Sequence, residues 1–224
     1  MVSTEANLEV LPVIIKVDSD NPDIQVIRAA SLIIRGGGLV AYPTDTVYGL
    51  AADPFNLMAT IRLFEAKIRP LNKPVPILVS SIEKAFFLGY FNDVARMLAR
   101  KFWPGALTIV VEERRCFPPF ITNWTRRVAL RMPSSKISLI LAEVCGGCII
   151  GTSANISGMP PPTTAEGVLE QLKGKIDAII DGGETFVKIP STVVDVSSGK
   201  LDIVREGAIP AKSILECIRN EDFK

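Results

Sequence analysis

Four groups of side chains in this sequence have the types and the spacing for chemistry on an anion. The first is Pro43-Thr44-Asp45-Thr46-Val47-Tyr48-Gly49-Leu50, where two threonines and a tyrosine follow a short apolar run. Taken alone it is equally a turn in which Asp45 bonds its own backbone. The second is Lys67, Arg69 and Lys73 around two prolines. Pro70 drives the residue before it into extended conformation, and in extended chain positions two apart face the same way. Lys67 and Arg69 are therefore expected to converge on one phosphate and, with Lys73, to clamp a triphosphate. The alternative is a pair of cations completing the dipole of the preceding helix. The third group is Gly151-Thr152-Ser153-Ala154-Asn155. Ser153 and Asn155 share parity and offer a hydroxyl and an amide to a phosphate oxygen or a base edge, or else a helix N-cap. The fourth joins Arg131, in an otherwise apolar run, with Ser191, Thr192 and Arg205. An arginine there costs heavily without an anionic partner, which is either a ligand or a structural carboxylate.

Composition narrows the chemistry. The 224 residues include no histidine, which removes the Ser-His-Asp triad, the HExxH metalloproteases and any imidazole base or ligand. With 25 Lys+Arg against 24 Asp+Glu the net charge is +1, against an electrostatically driven nucleic-acid binder and without an expected basic, aromatic-studded surface. Cys145 and Cys148 form a C-x-x-C pair, but at a helix-to-strand corner, the reverse of a redox motif, and Cys116 and Cys217 lack zinc-ligand spacing. No metal site is expected from the protein's own residues. Gly36, Gly38 and Ala41 fit G-x-G-x-x-A, yet they end a helix and open a strand, so a glycine C-cap is expected rather than a dinucleotide site. No P-loop occurs, so bound phosphates would be held by side-chain cations and loop amides. Met1 to Asn7 show no secretory signal and no segment is long enough to span a bilayer, which places the chain in the cytoplasm.

Strands and helices alternate throughout. Strands are expected at 11–17, 39–42, 77–80, 107–111, 127–132, 148–151, 178–180, 192–196 and 201–204. Asn21 and Pro22 are expected to open a helix that Gly36 stops. Further helices are expected over 57–66 (capped by Asn56), 82–89, 92–102, 135–144, 165–172 (capped by Thr164) and 211–219. The pattern implies a single α/β domain over 1–224, with its core over about 24–210 and a polar tail at 220–224. The turn at 197–200 favours a mixed sheet over a purely parallel one.

Read in order, residues 38–50 (GLVAYPTDTVYGL), Lys67-x-Arg69-Pro70, Trp103-Pro104-Gly105, Leu130-Arg131-Met132-Pro133, Ser153-x-Asn155, Pro190-Ser191-Thr192 and Arg205-x-Gly207 resemble the threonylcarbamoyl-AMP synthase family, the YrdC-type domain, over about 24–210. The resemblance implies a twisted mixed β-sheet with helices on both faces and a large concave cationic cavity, and a nucleotidyltransferase that uses L-threonine, bicarbonate and ATP with Mg²⁺ and releases pyrophosphate. The threonylcarbamoyl-adenylate would pass to a tRNA threonylcarbamoyl transferase acting on adenosine 37. By motif, Thr46, Arg131 and Ser191 would hold threonine. Lys67, Arg69, Lys73, Ser153, Asn155 and Arg205 would hold ATP, with Lys67 and Arg69 also catalytic. Many members carry histidine in the strand after Lys-x-Arg-Pro and at the position of Ser135; this chain has Ile77 to Ser80 and Ser135 instead. The rival readings are a non-catalytic module binding tRNA or double-stranded RNA, and a relative that adenylates carbamoyl phosphate.

Overall fold

A computed structural model describes residues 11–219; the readings on Met1 to Asn7 and on Asn220 to Lys224 lie outside the described residues. The elements in chain order are β1 (Val13–Lys16), α1 (Ile24–Arg35), β2 (Val40–Tyr42), β3 (Gly49–Ala51), α2 (Leu57–Ala66), β4 (Ile77–Val79) and α3 (Ile82–Leu88). There follow β5 (Gly89–Tyr90), α4 (Asp93–Phe102), β6 (Leu107–Glu113), α5 (Pro119–Thr122), β7 (Arg127–Arg131), α6 (Lys136–Val144) and β8 (Cys148–Ile150). The chain ends with β9 (Thr152–Ser153), α7 (Ala165–Leu172), β10 (Ala178–Asp181), β11 (Thr192–Asp195), β12 (Asp202–Arg205) and α8 (Ala211–Arg219).

Short polar side chains start the helices by accepting from otherwise unpaired backbone N–H groups. Asn56 caps α2 at Ala59 N, Ser81 caps α3, Asn92 caps α4, Ser135 caps α6 and Thr164 caps α7. In α1 the cap is Asp23, bonded to Gln25 N, rather than Asn21. Pro22 therefore precedes the cap, and its fixed φ shapes the entry instead of the first turn.

The expected mixed α/β class holds, but the strands divide between two mixed sheets instead of one. One has the order β1-β10-β2-β3-β9, and the other β12-β11-β6-β7-β4-β8 with β5 beside β6. Within the smaller sheet, residues 43–48 reverse the chain so that β3 returns antiparallel to β2, placing Gly49 opposite Tyr42. A Cβ on Gly49 would stand 2.8 Å from the Tyr42 ring, so only glycine permits this approach.

The larger sheet has two unlike faces, as strand pleating requires. Ile109, Val111, Val128 and Leu130 are buried in a core shared with Leu98 of α4 and Ile214 of α8. Their neighbours of opposite parity, Thr108, Val110, Ala129 and Arg131, form the floor of a cavity. A second core packs Ile27 and Ile34 of α1 and Ile137 and Leu141 of α6 against the smaller sheet. Sheet pairing and helix packing thereby hold the strand ends that carry polar side chains.

Candidate active site

The cavity is about 270 Å³ and is lined from both sheets. Its walls include Thr46, Arg69, Arg131, Ser153, Ser191 and Arg205, six residues singled out from sequence, and no carboxylate among the described residues. The floor follows from strand register. Arg205 pairs with Val193 and Val193 with Thr108. Ile109 pairs with Leu130 across an antiparallel ladder, which puts Thr108 opposite Arg131 one rung on. Arg205, Val193, Thr108 and Arg131 thus form one row across four strands, on one face, about 4.8 Å per step.

Arg131 is 5% exposed and closely held. Its Nε donates to Gly105 O at 2.9 Å, one Nη to Thr46 Oγ1 at 3.0 Å and the other to Asp45 Oδ1 at 2.5 Å. The anionic partner required of a buried arginine is therefore a structural carboxylate, Asp45, itself largely buried. Three of the five guanidinium N–H groups are engaged here, and two remain.

The Lys67–Arg69 segment departs from the extended geometry expected before Pro70. α2 closes in a Schellman arrangement in which Ile68 N bonds Glu65 O and Arg69 N bonds Phe64 O, with Ile68 left-handed at φ 49°. Lys67 consequently turns inward and is 1% exposed. Its ammonium donates to the Ser153 carbonyl and to the Asn155 carbonyl at 2.8 Å, while its own carbonyl accepts from Ser157 N. Lys67 thus pins the loop after β9 from behind the cavity wall. Arg69 reaches the wall and also closes its own loop, donating to Lys73 O and Pro74 O. Lys73 is exposed and Asn155 is buried, and neither lines the cavity. The Asn155 amide nitrogen donates to Ile156 O and Met159 O, so it orders the following loop and caps no helix, and Oδ1 is buried without a partner among the described residues.

On the far wall Arg205 donates to Ser191 O at 2.7 Å, and the Ser191 and Thr108 hydroxyls lie 2.8 Å apart. Gly207 allows this packing, because a Cβ there would fall 2.2 Å from Pro190 O.

The cations influence one another in series. Burial first, and Arg69 second, lower the Lys67 ammonium from 10.5 to about 7. Arg69 is lowered by burial and then by Arg205, and Arg205 by burial and then by Arg131. Only Arg131 of these four has a carboxylate in ion-pair contact among the described residues. Lys67 and Arg131 are buried, whereas Arg69 is half-buried and Arg205 exposed, and such a series of cations has the chemistry to pair with an anion.

The thiols do not compete for this role. Burial raises Cys145 to about 12 and Cys148 to about 11, and they flank the expected helix-to-strand corner. No cluster of three metal-ligating side chains occurs among the described residues.

Sequence reasoning missed Asp45 as the partner of Arg131, and Thr108, whose signal was a hydroxyl sharing parity with Val110 in an apolar strand. It also missed a group of arginine–aromatic contacts at the other end of the larger sheet, where Glu112 and Glu113 line the same surface. There Arg96 stacks on Phe86, Arg114 on Tyr90 and Arg115 on Phe87, beside open hollows of about 370 and 450 Å³ around Tyr90.

Comparison with known proteins follows the same residues. The Sua5/YciO/YrdC family profile, described as telomere recombination, matches residues 32–207. The threonylcarbamoyl-AMP synthase of Pyrococcus abyssi is 44% identical over 193 residues, which are 86% of this chain and 57% of that protein. The chain therefore spans a little over half of that relative. A putative threonylcarbamoyl-AMP synthase of Mycobacterium tuberculosis is 37% identical, with 83% and 85% of the two chains covered. The crystal structure of P. abyssi Sua5 complexed with L-threonine superposes with a TM-score of 0.88 at 42% identity, covering 92% of this chain and 61% of that one. E. coli YciO gives 0.83 at 25%, covering 91% and 100%. Since the profile runs through every cluster that builds the cavity, the chain belongs to the Sua5/YciO/YrdC family.

Proposed function

We propose that this chain is a nucleotidyltransferase, a threonylcarbamoyl-AMP synthase that converts L-threonine, bicarbonate and ATP into threonylcarbamoyl-adenylate and pyrophosphate. The observation that carries this reading is the series Lys67, Arg69, Arg205 and Arg131 beside a cavity without a carboxylate. The relatives' names and the threonine-bound neighbour support it.

In this reading the two unspent N–H groups of Arg131 take the threonine carboxylate in a charge-assisted pair. Thr46 and Ser191 line the same space. The amine, after losing a proton, attacks bicarbonate with loss of water, or CO₂ with loss of a second proton, to give a carbamate. A carbamate oxygen then bonds to the α-phosphorus of ATP as the bond to the β-phosphate oxygen breaks, and pyrophosphate leaves. The cavity wall has no carboxylate and the chain no imidazole, so the amine proton passes to a substrate oxygen or to water. What the protein supplies is positioning of two anions and a fixed positive field, from Arg69 and Arg205 at the wall and Lys67 behind it. Ser153 lines the phosphate side, and Lys73 and Asn155 shape the loops around it. Mg²⁺ enters with ATP as substrate, since this ion keeps water and phosphate ligands readily and the wall presents no carboxylate for a resident one.

The adenylate is a mixed anhydride that needs an acceptor, and the partner in this reading is a transferase that modifies adenosine 37 of tRNA. Among the described residues no helix is long and apolar enough to cross a membrane, and we place the reaction in the cytoplasm, where tRNA is modified.

The deciding experiment is incubation with ATP, Mg²⁺ and bicarbonate, with and without L-threonine, following pyrophosphate. Threonine-dependent release is expected; release indifferent to threonine sinks the assignment. The RNA-binding reading now has the arginine–aromatic surface in its favour. It predicts affinity for double-stranded RNA that falls steeply with salt, and no threonine-dependent cleavage of ATP.

Lys67 gives the site a pH signature. Its ammonium titrates near 7 in the free protein, and a bound polyphosphate favours the charged form. Affinity for a non-hydrolysable ATP analogue with Mg²⁺ is expected to fall as pH rises above 7, with proton uptake on binding at pH 8. Calorimetry in two buffers of different ionisation enthalpy measures that uptake, and equal heats in both buffers would refute it.

A further inference from the structure

Two hydroxyl chains run along the cavity wall, each begun by an arginine, which can only donate. In the first, Arg131 donates to Thr46 Oγ1. The single hydroxyl hydrogen of Thr44 goes to Val47 O at 2.7 Å, so the 2.9 Å contact between the threonines has Thr46 as donor. This chain ends inside the protein and leaves Thr46 with an accepting lone pair. In the second, the Arg205 nitrogen that bonds Ser191 O also lies 3.5 Å from Ser191 Oγ, and Ser191 Oγ is 2.8 Å from Thr108 Oγ1. One hydrogen of this hydroxyl pair is spent between the two oxygens and one is left over. Donation from Arg205 polarises Ser191 toward Thr108, which leaves the Thr108 hydrogen free, and Thr108 lines the cavity.

Thr108 is opposite Arg131 on the same face of the sheet; directly opposed antiparallel residues stand about 5 Å apart. A small amino acid with its carboxylate on Arg131 therefore carries its β-carbon substituents toward Thr108. Beside Thr108 the wall is apolar, formed by Val110, Ala129 and Val193, and accepts a methyl group. We infer that Thr108 donates a hydrogen bond to the side-chain hydroxyl of the amino-acid substrate, and so selects threonine over the analogue that lacks the hydroxyl. Arg205 acts in this as a positioning residue, through Ser191. The inference rests on the threonine assignment above.

The test is calorimetric titration of L-threonine and of L-2-aminobutyrate, which differs only by the missing hydroxyl, into wild type, Thr108→Val and Thr108→Ser. Wild type is expected to bind threonine about tenfold more tightly than L-2-aminobutyrate. Thr108→Val, which keeps the shape, should bring the two ligands within about threefold by weakening threonine alone. Thr108→Ser should restore the preference. A Thr108→Val protein that keeps the wild-type ratio, or that weakens both ligands alike as a structural defect would, overturns the inference while the threonine assignment stands. Wild-type protein that binds neither ligand overturns both. Thr108→Ala repeats the measurement if valine at this position does not fold.

Discussion

Arg131→Ala is expected to lower threonine-dependent pyrophosphate release by about 10²–10³-fold and to cost about 3–5 kcal/mol of stability. The two losses have different origins. The first is the missing partner for the substrate carboxylate. The second arises because Asp45, 11% exposed at its side chain, is left in a buried place without its ion-pair partner at 2.5 Å. They separate in the double variant Asp45→Ala/Arg131→Ala, in which no orphaned carboxylate remains. Its thermal unfolding should recover much of the stability lost in Arg131→Ala, while threonine-dependent release should stay as low as in the single variant. If stability and activity recover together, Arg131 holds the fold and no substrate. If Arg131→Ala loses neither, the row of side chains across the sheet is not the amino-acid site.

What the sequence showed and what it hid divide along physical lines. Helix boundaries were legible where one side chain decides them. Asn56 and Thr164 cap the helices they were expected to cap, and Gly36 ends α1. The antiparallel return of β12 on β11 was legible in the turn at 197–200. The two sheets were not, because strand alternation is a local signal, whereas β8 and β9, separated only by Gly151, pair with β4 and β3 in different sheets. The extended geometry expected before Pro70 gave way to the helix end. The helix stops at Lys67 and Ile68 follows at positive φ, which a β-branched residue resists, and three hydrogen bonds made by Lys67 hold the segment there. The motif residues did identify the cavity, since six of them line it. Thr108 and Asp45 stayed hidden because their roles come from register and from partners 83 and 86 residues away along the chain. The arginine–aromatic contacts escaped for a simpler reason: net charge is a sum, and it says nothing about where arginines gather.

Lys67→Met should be the most informative change on the phosphate side. Methionine nearly preserves the volume, and it removes both the charge and the donors to the Ser153 and Asn155 carbonyls. Pyrophosphate release with threonine and bicarbonate present is expected to fall by about 10²–10³-fold; wild-type release from Lys67→Met or Lys67→Ala would exclude a role in the reaction. Stability supplies an independent measurement. Lys67 is lowered from 10.5 in the unfolded chain to about 7 in the fold, so between these values the unfolded state binds more protons than the native state. Stability from this group is therefore lowest below pH 7 and rises as pH climbs through the window, by at most about 1.4 kcal/mol per pH unit. Cys145 and Cys148, both raised by burial, act in the opposite direction above about pH 9, where the unfolded thiols ionise first. Their contribution is common to wild type and Lys67→Met and cancels in the difference. The denaturation free energy of wild type minus that of Lys67→Met should thus grow steadily from pH 7 to pH 9. A flat difference would mean that Lys67 carries its full charge in the fold, balanced by a partner, and the uncompensated positive series that draws a polyanion to this cavity would lose its first member.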